Sequence, residues 1–99
     1  MDLCRDYERQ AALLKALAHP VRLRIMDVLV CEGRRNVRGM EKRTGVSQSC
    51  LSQHLQRLRA ARLVAAERVG NEVYYRACAP EAAGVLAVLT GEERSGDGV

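Results

Sequence analysis

Apolar residues at spacings of three and four predict helices over most of this chain. The first helix is predicted from Asp6, a good N-terminal cap, to about Ala18; it ends there because a residue before Pro20 avoids helical backbone angles. Pro20 suits the first turn of a second helix, which is predicted to stop near Gly33, a common C-terminal cap. The predicted apolar stripe of the first helix is Tyr7, Ala11, Leu14 and Ala18, joined by Leu13 and Leu17, and the second helix is predicted to bury Val21, Ile25, Val28 and Leu29.

The middle of the chain predicts two helices joined by a tight turn. A short strand is predicted at residues 36–38 and a short helix at residues 39–43. Gly45 supplies a left-handed turn residue, and Ser47 caps a helix that runs over about residues 48–61. The inward positions are Met40, Leu51, Leu55 and Leu58, and the outward face of the longer helix is Gln48, Ser49, Ser52, Gln53, Gln56, Arg57 and Arg59.

After Arg62 the spacing of apolar residues no longer follows the helical pattern of three and four. Residues 63–67 and 72–76 are predicted strands, and the Gly-Asn pair between them is typical of a β-hairpin. Pro80 opens a last helix with apolar positions at Ala82, Val85, Leu86 and Leu89. The chain is therefore expected to be mainly α-helical with a small β-hairpin wing. It is expected to form one domain over residues 1–91, with residues 92–99 as a disordered polar tail.

A helix, a turn with glycine and a second helix with a small polar outer face form a helix-turn-helix, and the hairpin makes it winged. Glutamine pairs bidentately with adenine, serine reaches a base edge or a phosphate, and a helix N-terminus accepts a phosphate. The alternative is an ordinary solvated helix face. The residues predicted to contact DNA are Ser47, Gln48, Ser49, Ser52, Gln53 and Arg57 on the helix, with Arg68 and Asn71 on the wing.

Charge is distributed unevenly along the chain. Residues 34–76 hold ten cations and three acids, a net charge of +7, whereas the rest of the chain holds six cations and nine acids. Fourteen of the 16 cations are arginine, which binds phosphate and guanine bidentately. A basic half predicts a polyanionic partner, although an arginine-rich solvated surface has the same composition. The only aromatic residues are three tyrosines, which disfavours stacking on single-stranded nucleic acid.

Two motifs carry a family resemblance. Residues 14–25, LKALAHPVRLRI, and residues 46–59, VSQSCLSQHLQRLR, resemble the opening signature and the recognition helix of the arsenical-resistance repressor (ArsR/SmtB) family. The hairpin from Leu63 to Tyr75 is similar to that family's wing. The resemblance covers about residues 10–90. It implies a winged-helix homodimer, formed by the first and last helices, that represses transcription from double-stranded operator DNA and leaves it on receiving a signal.

The sensing residues of that family are absent here. Its metal sensors place cysteines on the short third helix, but residues 37–43 contain no Cys or His. Its zinc-binding subset uses His and acids on the last helix, where Glu81 is the one acid, and its persulfide sensors use a second-helix cysteine where this chain has Asp27. No metal and no cofactor are therefore expected, and the inducer is unknown. His19, beside Pro20, is expected to be structural, and His54, next to the leucine stripe, is expected to be a core or hydrogen-bonded histidine.

The four cysteines, Cys4, Cys31, Cys50 and Cys78, are too far apart in sequence for a Cys-x-x-Cys motif. Cys31 ends the second helix and Cys78 follows the second wing strand, so an antiparallel first strand would bring them together as a candidate thiol switch. Cys50 is a further candidate, because a helix N-terminus favours the reactive thiolate. The alternatives are buried inert thiols at 31 and 78 and a small-residue substitute at 50.

Other functions have less support. No Ser/His/acid set, paired carboxylates or phosphate loop indicates an enzyme. The start of the chain is polar and no apolar run approaches the ~18 residues of a membrane span, so a cytoplasmic protein without membrane contact is expected. A chain this short gains buried surface by dimerising. Two alternatives stay open: a repressor without an inducer, and a winged-helix protein-interaction module that does not bind DNA.

Overall fold

The helices and strands follow the predicted winged order. The structure is a computed structural model that describes residues 6–91. Within that range it has five helices and one antiparallel sheet with strand order β1-β3-β2, which confirms the predicted fold. No helix in the described range is long and apolar enough to cross a membrane. The elements are α1 (Tyr7–Leu17), α2 (Pro20–Glu32), β1 (Arg35–Asn36), α3 (Val37–Thr44), α4 (Gln48–Ala60), β2 (Val64–Val69), β3 (Glu72–Ala77) and α5 (Pro80–Thr90).

Side-chain caps start the helices where the sequence predicted them. The Asp6 carboxylate accepts the Arg9 backbone N–H at 3.0 Å, and Ser47 Oγ accepts the Cys50 N–H at 3.3 Å. Gly45 ends α3 at φ 76°, a left-handed angle that glycine adopts without a Cβ clash, and its N–H bonds to the Glu41 carbonyl at 2.8 Å. These bonds satisfy backbone groups that a helix end leaves unpaired.

The first strand is shorter and earlier than predicted. β1 is Arg35–Asn36, and α3 already starts at Val37 rather than at Gly39, so the prediction of a strand over residues 36–38 is wrong. The reason is Asn36, whose Oδ1 accepts the Gly39 N–H at 2.8 Å and thereby caps α3. The antiparallel pairing with β3 is as expected, with Arg35 opposite Tyr75.

The core is centred on α4. Leu51, Leu55 and Leu58 are fully buried, as their spacing predicted, and Met40 reaches them from α3. Fully burying one such side chain contributes about 1.5–3 kcal/mol. Met26 is also fully buried although the predicted stripe of α2 did not include it, and Val21, which the stripe did include, is only half-buried.

The apolar stripe of α1 differs from the prediction. Only Leu13 and Leu17, one helical turn apart, are buried in the core. The positions Tyr7, Ala11, Leu14 and Ala18 are exposed. A helix of 11 residues that lies on the edge of the domain contacts the core along one narrow face, so its other apolar side chains have no partner within the chain.

Two imidazoles meet where α1, α2 and α4 converge. His19 caps α2, its Nδ1 accepting the Val21 N–H at 3.0 Å, and its ring centroid lies 4.3 Å from that of His54. His54 is half-buried, and its Nδ1 has no hydrogen-bond partner, so it is neither a core histidine nor hydrogen-bonded at that atom. Burial lowers the pKa of His54, and the charges of His19, Arg22 and Arg57 lower it further.

This depressed pKa predicts acid destabilisation. The unfolded chain takes up a proton at position 54 near the ordinary histidine value of about 6.5, whereas the folded chain resists it until a lower pH. Stability is therefore fully present above that value and falls as the pH drops through the folded pKa. We expect His54→Gln to reduce the loss of stability between about pH 7.5 and about pH 5.5, measured by urea unfolding. Equal losses in the two proteins would contradict this assignment.

Candidate nucleic-acid interface

The exposed residues of α4 from Gln48 to Arg59 are all polar. The stripe of buried leucines fixes the rotation of the helix, so the side chains between them point away from the domain. Six residues that the sequence singled out on α4 and its cap are all exposed, and none of them is part of the core. These residues are Ser47, Gln48, Ser49, Ser52, Gln53 and Arg57.

The first turn of α4 is fastened to α3. Gln48 is the first residue of the helix, and its Nε2 donates to Glu41 Oε1 at 2.8 Å. Ser47 Oγ is occupied by its capping bond. The sequence did not single out Glu41, because a contact between residues seven apart depends on the angle between α3 and α4. That angle is set by packing and not by a local pattern.

The wing is a regular hairpin with its predicted residues at the tip. Arg68 pairs with Val73, next to the last pair of the ladder, and both Arg68 and Asn71 are exposed. The turn contains Gly70 at φ 63°. The Asn36 amide donates to the Glu72 carboxylate, which joins β1 and the N-terminus of α3 to the start of β3. The wing is therefore held at a fixed position beside the helix-turn-helix.

Ion pairs neutralise part of the basic segment. Glu32 at the end of α2 accepts from Arg43 Nε at 2.8 Å and from Arg35 at 3.2 Å, and the Arg43 hydrogen bonds hold the pKa of Glu32 below its ordinary value. Arg34 pairs with Glu67 at 3.2 Å and lies 5.0 Å above the Tyr74 ring centroid. Within the described part of the chain, seven further cations of this segment are exposed and form no ion pair: Arg38, Lys42, Arg57, Arg59, Arg62, Arg68 and Arg76.

The candidate thiols lie at the ends of elements. Cys31 and Cys78 are both exposed, so the alternative that they are buried is wrong; Cys50 is half-buried. Cys31 Sγ donates to Asp27 Oδ1 at 3.5 Å, and Cys78 Sγ donates to the Arg62 carbonyl at 3.3 Å. No disulfide joins Cys31 to Cys78 in this structure. Cys4 lies outside the described residues, as does the predicted tail.

The turn that Cys78 contacts has an unusual backbone. Arg62 links α4 to β2 at φ 63°, a left-handed angle that residues with a side chain rarely adopt. Its neighbour Leu63 holds the turn in place, because the Leu63 N–H bonds to the Leu58 carbonyl at 2.9 Å and the Leu63 carbonyl accepts the Cys78 N–H at 3.0 Å. In residues 6–91, no three His, Cys, Asp or Glu side chains are grouped to hold a metal ion.

Comparison with known proteins gives a consistent result. Residues 19–66 match the family model described as bacterial regulatory protein, arsR family. The HTH-type transcriptional regulator Rv0081 of Mycobacterium tuberculosis is 43% identical over 82 residues, which cover 83% of this chain and 72% of that protein. The crystal structure of the transcriptional repressor PagR of Bacillus anthracis aligns with a TM-score of 0.78 at 35% identity, over 84% of this chain and 94% of PagR.

The transcriptional repressor BigR from Xylella fastidiosa aligns with a TM-score of 0.79 at 36% identity, over 89% of each chain. These proteins share both the winged architecture and about a third or more of their aligned residues with this chain. The agreement extends from the cap of α2 through the recognition helix and into the wing. The chain therefore belongs to the arsR family of bacterial regulatory proteins.

Proposed function

We propose that this protein is a homodimeric, cytoplasmic repressor that binds double-stranded operator DNA and has no enzymatic activity. The observation that carries the proposal is the exposed polar face of α4 above a stripe of fully buried leucines. Such a helix enters the major groove, where short polar side chains reach base edges. The relatives PagR and BigR, which are named transcriptional repressors, support it. A winged-helix module that binds protein instead would not need this face.

The proposed roles follow from side-chain chemistry. Ser49, Ser52 and Gln53 on the first two turns of α4 contact base edges. The seven unpaired cations of the basic segment contact phosphates and supply an affinity that decreases with salt. Arg57 and Arg68 belong to this second group, and Asn71 reaches the backbone or minor groove from the wing. The positive N-terminus of α4, which Ser47 caps, binds a phosphate.

Base readout by Gln53 predicts a selective defect. We expect Gln53→Ala to lower the affinity for an operator duplex by about 1–3 kcal/mol while leaving the affinity for random duplex nearly unchanged. Arg57→Ala is the matched comparison, because loss of a phosphate contact weakens both complexes alike and reduces the salt slope by about one. Binding is measured by fluorescence anisotropy on a duplex selected from a random pool and on its scrambled counterpart. An equal loss of both affinities in Gln53→Ala would remove Gln53 from base readout.

Dimerisation is proposed through α1 and α5. The two helices are joined by an ion pair between Arg9 and Glu81 at 2.9 Å, and a groove between them is lined by apolar side chains. The large apolar side chains that α1 and α5 leave exposed are Tyr7 (65%), Leu14 (55%), Val88 (73%) and Leu89 (63%). An apolar surface of this extent on so small a domain indicates a protein contact. Leu17 and Leu86, in contrast, are buried in the chain's own core and do not belong to it.

The dimer prediction therefore uses the exposed leucines. We expect Leu14→Glu combined with Leu89→Glu to convert the protein from a dimer to a folded monomer, because each substitution places a charge in the apolar contact. Sedimentation at micromolar concentration measures the mass, and circular dichroism checks the helix content. Val69→Glu is the matched control, because Val69 is an exposed apolar residue of the wing and its substitution should leave the dimer intact. A wild-type monomer, or a dimer that survives both substitutions, would contradict the proposal.

The signal is proposed to act on thiols. Cys78 donates to the Arg62 carbonyl in the turn that ends α4, so a modified Cys78 sulfur loses this bond at the base of the recognition helix. Cys31 is exposed at the end of α2, beside the Glu32 carboxylate that holds α3. Cys50 lies in the first turn of α4. A disulfide between Cys31 and Cys78, or a trivalent arsenic bound across both sulfurs, would require the two segments to approach each other.

Thiol control predicts that treated protein leaves its operator. We expect hydrogen peroxide, which oxidises two thiols to a disulfide with release of two waters, or arsenite to weaken operator binding by wild type and not by Cys31→Ser or Cys78→Ser. Cys50→Ser is the comparison that separates this pair from the recognition helix. If only Cys50→Ser abolishes the response, the switch is on α4. If wild type stays bound under both treatments, the thiols are structural and the repressor without a thiol inducer is correct.

A further inference from the structure

We infer that Glu41 determines operator specificity by positioning Gln48, so that one orientation of the Gln48 amide is presented to the DNA. This inference rests on the proposed function. Glu41 is half-buried on α3, Gln48 is exposed at the start of α4, and the two side chains bond at 2.8 Å.

The chemistry of the two groups fixes the orientation. A glutamine amide has a donor end and an acceptor end that are nearly equal in shape, so an unrestrained amide presents either end to a base. An ionised carboxylate only accepts hydrogen bonds. The Glu41 carboxylate therefore selects the orientation in which Gln48 Nε2 faces α3. Gln53 has no hydrogen-bond partner within the described residues, so its amide is not held in this way.

The held amide matches one base pattern. With one Nε2 hydrogen given to Glu41, Gln48 retains its Oε1 acceptor and its second N–H. These two groups complement the N6 amino group and the N7 acceptor of adenine in the major groove. Holding the side chain before DNA arrives also reduces the rotamer entropy lost on binding. The structure thus assigns an adenine preference to the base pair that Gln48 meets.

The negative charge of Glu41 is consistent with this role. The acids of the basic segment are Glu41, Glu67 and Glu72. Glu67 is paired with a cation, Arg34, and Glu72 accepts from Asn36 on the side of the wing. Glu41 alone among them is bonded to a residue of the proposed reading face. A carboxylate there repels phosphates and reduces affinity for every sequence, a cost that specificity against wrong sequences offsets.

The experiment exploits these opposite effects of charge and position. Glu41→Gln removes the charge and lets the Gln48 amide adopt either orientation, because the new amide both donates and accepts. Glu72→Gln is the matched control: it removes one charge from the same segment without touching α4, and its amide oxygen still accepts from the Asn36 amide that holds the wing. Each variant, together with Gln48→Ala and the double variant, is titrated against a duplex selected from a random pool by wild type and against its scrambled counterpart. Single base-pair substitutions across the half-site map the preference.

We expect the ratio of selected to scrambled affinity to fall about 5-fold or more in Glu41→Gln, the lower end of the discrimination given by one bidentate base contact. The affinity for scrambled duplex should stay level or rise. The lost preference should map to the same base pair in Glu41→Gln and Gln48→Ala, and the double variant should match Gln48→Ala. Glu72→Gln should keep the wild-type ratio.

Two results would overturn the inference and leave the proposed function intact. One is an unchanged ratio in Glu41→Gln with both affinities raised, which would make Glu41 a repelling charge only. The other is a further loss of discrimination when Glu41→Gln is added to Gln48→Ala, which would show that Glu41 does not act through Gln48. A wild-type protein that does not distinguish the selected duplex from the scrambled one would instead overturn the proposed function itself.

Discussion

The burial of three leucines on one side of α4 is the constraint on which the rest of this structure depends. Leu51, Leu55 and Leu58 have no exposed surface. Replacing any of them with alanine would leave a cavity and lower the free energy of unfolding by about 2–5 kcal/mol. Their burial sets the rotation of α4 about its axis, so the polar residues between them must face outward. The reading face is therefore a consequence of the core. It needs no separate interaction to hold the backbone of the helix in place.

The parts of the fold that sequence predicted are those with local causes. The caps at Asp6 and Ser47, the left-handed glycine at 45 and the leucine spacing of α4 each act within a few residues, and all are present in the structure. The position of α3 was wrong by two residues because Asn36 belongs to the strand and caps the helix at once. Sequence propensities assign a strand residue and a helix cap separately. Only the sheet pairing shows that Asn36 is both.

The parts that sequence missed depend on how elements are oriented to one another. The prediction of which face α1 buries was wrong because apolar residues occupy more than half of the helix circumference. Only packing decides which of them reach the core. The contacts of Glu32 with Arg43 and of Glu41 with Gln48 join residues 11 and seven apart through the angles between helices. No composition or period encodes those angles. The DNA-contact residues were placed on the surface by the leucine pattern, but their electrostatic partners were not predictable.

These missed contacts give α3 a place in the proposed regulation. Arg43 near its C-terminus is bonded to Glu32 at the end of α2, and Glu41, two residues earlier, is bonded to the first residue of α4. Cys31 precedes Glu32 directly, so a change at that thiol lies within one residue of an ion pair that holds α3. Glu32 and Gln48 are thus both attached to α3 by side-chain contacts, so α3 is the element through which a change at Cys31 would reach the first turn of α4. Under the proposed thiol control, loss of the Glu32–Arg43 contact would release the end of α3 while the leucine core beneath α4 stays folded.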